Sequence, residues 1–454
     1  MKAAAMTVWI FINLLCFGMC GYLYLIWSQY WMSIERQRLF TESQDKSHRR
    51  SSAFNYQEKY TDKHDDQLLN TTYSVQKHRR SVVALKTNMF QIFNKSNRSD
   101  PPTNKIIKSR GSPRFPNLHK PILEFDSEKY ECQDILTTEC QIQTKEFKEL
   151  MIKEFHRMLM SDAKVFVSGL DSQNPYDVKY ERKSMQNIEE IMCALKSVAF
   201  RTVTANDEPF LSLGYRIPKE PLLGERVFDT CAVVTSAGAL LGSRFGNFID
   251  SHEMVLRFNN APTENYTEDV GSKTTIRVLN SQVVAKREYK FLDDPIYKNI
   301  SILIWDPSNH SSTLEDWYYN PDFQLFPVYK RLLKERPTAD VHLLNPKVLW
   351  ELWTVLQDSS PYRLRRNPSS SGFLGLWFSL QRCNKVRVFE YVPSVRVTRR
   401  CHYYIPASDP SCTLGAWHPL AQEKLLAERM RQNSDIDVFQ RGFIDINGFN
   451  TLRC

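Results

Sequence analysis

Three regimes of hydrophobic patterning follow one another along the chain. The first is a single apolar run: after Lys2 no charged residue occurs until Glu35, and Met6–Trp27 reads MTVWIFINLLCFGMCGYLYLIW. At about 1.5 Å of helical rise per residue this stretch reaches across a bilayer core of about 30 Å. Trp27, Tyr30 and Trp31 suit the aromatic belt at such an interface. A cleaved signal peptide is the competing reading, but its apolar part is usually about 7–15 residues long, and no A-x-A-like site closes the run here.

The second regime, from about Gln37 to Lys120, is polar. It has little periodicity, is broken by Pro101, Pro102, Pro113 and Pro116, and carries basic clusters at His48–Arg50 and Lys77–Arg80. It reads as a stem without a packed core. Such basic runs are usually solvated, although cleavage at either would release a soluble form.

The third regime begins near Glu124. Glu181–Val198 carries Met185, Ile188, Ile191, Met192 and Leu195 at helical spacing. Beyond it, short apolar runs alternate with amphipathic ones. Strands are predicted over Cys231–Thr235, Thr275–Leu279, Ser301–Trp305, Val341–Leu344 and Lys385–Tyr391. Helices are predicted over Phe323–Lys334, Pro346–Gln357, Ser371–Arg382 and Pro419–Gln432. This alternation predicts an α/β domain with helices covering a largely parallel sheet. The expected organisation is a tail over 1–5, a signal anchor over 6–27, a stem over 28–123 and a folded domain over 124–454.

Charge adds little. A net charge of +9 in 454 residues suits nucleic acid, phosphorylated sugars or an anionic membrane, and does not choose among them. The charges flanking the apolar run slightly favour an inward-facing C-terminal region. Two other features oppose that orientation. N-x-S/T sequons start at Asn70, Asn94, Asn97, Asn265, Asn299 and Asn309, all beyond the run. Cysteines 132, 140, 193, 231, 383, 401, 412 and 454 also form an even set with no C-x-x-C pair, which points to disulfides and not zinc. A type II membrane protein of the secretory pathway is expected.

Four constellations carry candidate chemistry. In CAVVTSAGALLGSRFGNF the glycines Gly238, Gly242 and Gly246 lack the G-x-G-x-x-G spacing of a dinucleotide turn. The stretch is either a ligand-binding strand-to-helix turn or a structural one. Asn367-Pro368-Ser369-Ser370-Ser371-Gly372 precedes an apolar helix, so its hydroxyls and N–H groups suit a phosphate or simply cap the helix. His418, before Pro419 at a loop-to-helix junction, suits a general base or a packing role. Asp435-Ile436-Asp437 is a D-x-D pair of the kind that holds divalent cations, but it reads better as a helix-exit turn with no further oxygen ligands nearby.

The order of these pieces resembles the eukaryotic sialyltransferases over roughly the last 270 residues. Cys231 to about Gln282, with LRFNNAPT, DVGSKTTIR and NSQ, resembles the family's large motif. Pro368 to about Pro393 resembles the small motif, His402-Tyr403-Tyr404 the third, and His418-Pro419-Leu420-Ala421-Gln422-Glu423 the H-P-x(3)-E motif. ILIWDPS, NPDF and WELW resemble the β-galactoside α-2,6 subgroup. The third motif departs from the family at His402 and Ile405.

The resemblance implies a GT-A-like α/β/α sandwich, a CMP-sialic acid donor, no metal or other cofactor, no nucleic-acid partner, and Golgi residence. It assigns Ser236, Asn259, Asn280, Ser370, Ser371, Gly372 and Thr413 to the donor site, His402 to the phosphate and His418 to the base. Asp322 is assigned to the acceptor galactose, with Trp417 available to pack on a sugar face. It also implies disulfides Cys231–Cys383, Cys401–Cys412 and Cys193–Cys454, leaving Cys132 and Cys140. The expected reaction is an inverting transfer to the 6-hydroxyl of galactose in Galβ1-4GlcNAc. An α-2,3 or GalNAc-directed enzyme and a non-catalytic type II glycan-binding protein remain alternatives.

Overall fold

The computed structural model describes residues 127–167, 174–181, 183–224, 226–407 and 417–454. The expected tail, anchor and stem, with the sequons at Asn70, Asn94 and Asn97, lie outside the described residues. Among the described residues no helix is long and apolar enough to cross a membrane.

The described strands are β1 (Phe228–Val234), β2 (Met254–Phe258), β3 (Ile276–Asn280), β4 (Ser301–Trp305), β5 (Val341–Leu343), β6 (Cys383–Phe389) and β7 (Phe443–Asn447). They form one sheet in the order β5-β4-β3-β2-β1-β6-β7. All neighbours run parallel except β7, which is antiparallel to β6. The strand order therefore reverses beside β1: β2 to β5 extend on one side, β6 on the other.

The helices of five or more residues are α1 (Thr138–Val167), α2 (Ile188–Ser197), α3 (Gly246–Asp250), α4 (Ser281–Ala285), α5 (Leu314–Tyr319), α6 (Phe326–Glu335), α7 (Lys347–Asp358), α8 (Ser371–Arg382), α9 (Leu420–Met430) and α10 (Asp435–Phe439). Side chains alternate across the strands. Cys231 and Val233 of β1 join α1, α2, α7, α8 and α9 in the largest core cluster. Ala232 and Val234 face a smaller one with Leu240, Ile249 and Phe389. A third, around Ile302, Ile304, Val341 and Tyr329, covers the β3–β5 end. The result is a three-layer α/β/α domain.

Several expectations need correction. β2 is not among the predicted strands because Arg257 interrupts its apolar run. In the fold Arg257 is buried, and its guanidinium donates to the carbonyls of Val270 and Lys273 and to Thr274 Oγ1, so the charge is carried inside the strand. β7 carries Asp445, which receives a two-pronged bond from Arg387 of β6 at 2.6 and 2.7 Å. α1 is also absent from the prediction. Its surface is strongly charged, yet Phe147, Met151, Phe155 and Leu159, four residues apart, make a fully buried stripe. Within Glu181–Val198 the helix begins only at Ile188, capped by Asn187.

Asp435–Asp437 is not a helix exit. It opens α10 behind a capping box in which Ser434 and Asp437 bond reciprocally. Asp435 accepts from Lys148 at 3.0 Å and from Arg431, and Asp437 pairs with Arg441 at 3.1 Å.

Disulfides join Cys132 to Cys140, Cys193 to Cys454 and Cys231 to Cys383. The last ties β1 to β6 across the reversal point. Cys401 is also a disulfide cysteine; Cys412 lies outside the described residues.

Candidate active site

In an open parallel sheet the loops beyond the strand ends part where the strand order reverses, and ligands bind in the crevice so formed. A cavity of about 390 Å³ lies there. Loops after β1, β2 and β6 contribute Ser236, Asn259 and Glu390, the last residue of β3 is Asn280, and Ser370, Ser371, Gly372, His402, Trp417, His418 and Lys424 complete much of the lining. The cavity thus brings together nine of the residues assigned by resemblance. Thr413 lies outside the described residues. Asp322 lines a different cavity, of about 520 Å³, with Tyr176, Ser308, Asn309, Asp316 and Asn320.

The first turn is held by its neighbours. Gly238 sits so close to the chain at Arg400 that a Cβ would lie 2.5 Å from the Arg400 carbonyl oxygen, which accounts for glycine here without any nucleotide. The Ser236 carbonyl accepts from Tyr403 N–H at 3.1 Å, and Ala237 bridges His402. The His402 ring stacks on Tyr404 with centroids 5.2 Å apart. Asn259, in the left-handed region at φ 46°, accepts Asn280 N–H on its side-chain oxygen at 3.1 Å. Its carbonyl accepts from the buried Arg277 at 2.9 Å, while Asn280 caps α4 through Val283 N–H. The two asparagines are therefore locked as a pair at the ends of β2 and β3.

Ser370 caps α8, its Oγ accepting Phe373 N–H at 3.1 Å. Its hydroxyl proton is committed as well, to Glu423 Oε2 at 2.5 Å, and its N–H goes to Glu423 Oε1 at 2.7 Å. A ligand oxygen thus meets a Ser370 whose donors are already occupied. The free donors of the first helical turn belong to Ser371 and Gly372, whose N–H groups have no acceptor within the helix. The Ser371 hydroxyl accepts from Trp305 Nε1 at 2.9 Å and keeps its own proton. Gly372 is required because a Cβ there would lie 2.9 Å from the Tyr391 ring.

Glu423 is the residue that the sequence reading left without a role. Fully buried, its carboxylate receives both Ser370 donors and the Tyr391 hydroxyl at 3.2 Å. Burial raises its carboxyl above the usual range, against the pull of those donors. Its neighbour Lys424 donates to the Tyr391 carbonyl at 2.8 Å, and burial lowers its ammonium to about 8. A charged residue on the buried face of a helix was the available signal for both. Glu390, held at φ 49°, is bound by Arg396 at 2.6 Å and Ser394 at 2.9 Å, so no unpaired carboxylate is offered as a nucleophile by this loop.

His418 sits against Trp417 at 4.5 Å and Trp305 at 6.2 Å between ring centroids. Its Nδ1 lies 2.9 Å from the Pro368 carbonyl, and Asn367 donates to the Trp417 carbonyl at 2.8 Å. The segment leading to the α8 cap thereby fixes the His418 backbone and ring. Burial among apolar rings pulls the imidazole down to about 4. The ring is neutral at pH 7, Nδ1 carries the proton towards Pro368, and Nε2 holds the lone pair. Such an arrangement can take a proton beside an anion-binding helix end.

The second cavity is linked to the first by a ring contact. Tyr176 contacts Trp417 edge-on at 6.2 Å, and burial together with the nearby Asp322 and Asp306 raises its phenol. Asp306, pushed up to about 6 by burial, accepts from Trp317 Nε1 at 2.8 Å and from Asp322 N–H at 3.0 Å. Partial burial raises Asp322 itself. Nothing in the sequence pattern marked Tyr176, which follows an Asn-Pro pair before the first predicted strand.

Comparison with known proteins matches residues 180–434 to glycosyltransferase family 29 (sialyltransferase). A protein named beta-galactoside alpha-2,6-sialyltransferase 2 from Bos taurus is 43% identical over 62% of this chain and 58% of its own length. The Xenopus tropicalis protein of that name is 44% identical over 59% of this chain and 53% of its own. The matched stretch spans rather more than half the length of these relatives. A solved mammalian sialyltransferase aligns over 60% of this chain and 83% of its own at 20% identity, with a TM-score of 0.33.

Proposed function

The chain belongs to glycosyltransferase family 29, the sialyltransferases, and from that membership we propose that it transfers sialic acid from CMP-sialic acid to the 6-hydroxyl of terminal galactose in Galβ1-4GlcNAc glycans. The observation that carries the proposal is the pairing of a neutral, half-buried His418 with the N-terminus of α8 in one cavity at the sheet's reversal point. The linkage comes from the names of the curated relatives.

The chemistry needs three things. The acceptor oxygen must lose its proton as it attacks the anomeric carbon, the carbon–oxygen bond to CMP must break, and the departing phosphate must be stabilised. His418 Nε2 takes the proton. Ser371 and Gly372 N–H groups, the Ser371 hydroxyl, His402 and the buried Lys424 cation answer the negative charge. Asn259 and Asn280 hold the CMP moiety through side-chain donors, beside Ser236 and Thr413. Ser370 acts mainly by its position, since Glu423 occupies its donors. A single displacement inverts the anomeric centre without a covalent nucleophile. The donor's own anions make the imidazole a stronger base once bound, because nearby negative charge favours the protonated ring.

Asp322 and Tyr176 bind the acceptor galactose, with Trp417 packing beside it. Residues 124–454 form the catalytic domain in a GT-A-like variant fold, and residues 6–27 anchor it in the Golgi membrane with the domain lumenal. No metal takes part. Incubating the protein with CMP-sialic acid and N-acetyllactosamine, then treating the product with linkage-specific sialidases, tests the reading. Release of the transferred sugar by an α-2,3-selective sialidase rejects the 6-hydroxyl assignment, and absence of transfer rejects the function.

A further inference from the structure

We infer that an N-linked glycan on Asn309 forms a filter on acceptor size at the mouth of the second cavity. This rests on the proposal that the cavity containing Asp322 holds the acceptor.

Asn309 begins the sequon Asn309-His310-Ser311, is exposed, and lines that cavity with Asp322 and Tyr176. The three described disulfides indicate an oxidising compartment, the setting in which sequons are modified. In the transfer, Asn309 Nδ2 forms a bond to the first GlcNAc carbon, the amide loses a proton, and the pyrophosphate of a lipid-linked oligosaccharide leaves.

The backbone that would carry such a glycan is held on both sides of Asn309. The Ser308 carbonyl accepts Trp350 Nε1 at 3.0 Å, His310 N–H donates to the Tyr176 carbonyl at 2.8 Å, and Ser312 N–H to the Asn309 carbonyl at 3.1 Å. His310 and Tyr176 both pack on Trp350, with ring centroids 6.3 and 5.4 Å away. The loop is pinned to the same tyrosine that borders Asp322. An acceptor galactose bound there must send the rest of its glycan out past this rim. A disaccharide leaves room for the attached sugars, whereas a branched glycoprotein antenna meets them. The sequons at Asn265 and Asn299 are exposed too, but neither residue lines a described cavity.

The full chain is made in glycosylating cells, and occupancy of Asn309 is read by glycopeptide mass spectrometry. Steady-state rates are measured with Galβ1-4GlcNAc and with an asialo-glycoprotein. Ser311→Ala, which removes the sequon without touching a cavity residue, should raise the glycoprotein-to-disaccharide ratio of kcat/KM roughly three- to tenfold, a change of about 0.6–1.4 kcal/mol suited to rim contacts. The KM for CMP-sialic acid should not move. Endoglycosidase trimming of the unmutated enzyme, which alters no residue, should shift the ratio the same way, and Thr267→Ala at the Asn265 sequon should not. An unoccupied Asn309, an unchanged ratio, or an equal shift in Thr267→Ala overturns the filter. If Asp322→Asn leaves the disaccharide KM unchanged, the acceptor-site reading falls and takes the filter with it. If that variant raises the KM while the ratio stays fixed, the filter alone is rejected.

Discussion

Replacing His418 by Ala should leave donor binding intact and remove most turnover. Burial among Trp417, Trp305 and the Pro368 segment moves the imidazole from its ordinary 6.5 to about 4. At about 1.4 kcal/mol per pH unit, that environment disfavours the charged ring by roughly 3 kcal/mol in the empty site. A positioned base contributes about 10²–10⁴ in rate, or about 2.7–5.4 kcal/mol of barrier at about 1.36 kcal/mol per decade. For the proposed base the neutral ring is the active form, so activity should be present above its pKa and fall as pH drops through it. The acid limb of kcat/KM, which reports the free enzyme, should lie near 4. That of kcat should lie higher, because the bound donor's anions favour the imidazolium. Initial rates of CMP release and sialoside formation, with Tm as a check on folding, measure all of this. A folded His418→Ala enzyme with near-normal kcat, or a kcat/KM limb at 6.5, would refute the reasoning.

Glu423→Gln keeps the volume but sets an amide against Ser370 and Tyr391 in place of one carboxylate oxygen; a hydrogen bond to a charged group contributes about 1.5–3 kcal/mol. A roughly ten- to hundredfold loss of kcat/KM, with retained secondary structure, is expected; a lowered Tm with unchanged kinetics would make Glu423 purely structural. Cys383→Ala opens the bond to Cys231 and should cost about 2–5 kcal/mol of stability, read by thermal unfolding, with a raised donor KM because β1 and β6 flank the cavity. Donor turnover should persist in excess EDTA, since the proposed phosphate site consists of N–H groups and Lys424, and Asp435 and Asp437 are already ion-paired; abolition by EDTA with rescue by manganese would contradict this.

The sequence was most legible where burial is uniform. Ser301–Trp305 and Ser371–Arg382 match the structure end to end, because length separates two apolar runs: 5 residues suit a strand and 12 a helix. It was least legible where a buried charge finds a distant partner. Arg257 in β2 and Asp445 in β7 look like interruptions until the loop at 270–274 and Arg387 are in view. α1 hid its four-residue stripe behind a polar exterior. In the site, the Pro after His418 predicted a fixed backbone, but the shift of its imidazole depends on Trp305 and Pro368, remote in sequence. The commitment of Ser370 to Glu423 was equally invisible, since hydroxyl donors are assigned only by three-dimensional neighbours. The second cavity containing Asp322 depends on Tyr176, which no periodicity selects.

The central claim is most directly tested by the structure of the first-formed product. The full chain is incubated with CMP-sialic acid and Galβ1-4GlcNAc in a spectrometer, and the new glycosidic centre is assigned by NMR before any side reaction accumulates. Inverted configuration relative to the donor, with the new bond on galactose O6, is the predicted result. Retained configuration would require a covalent intermediate and would contradict the single displacement. A bond to O3, or no sialoside at all, would contradict the account outright.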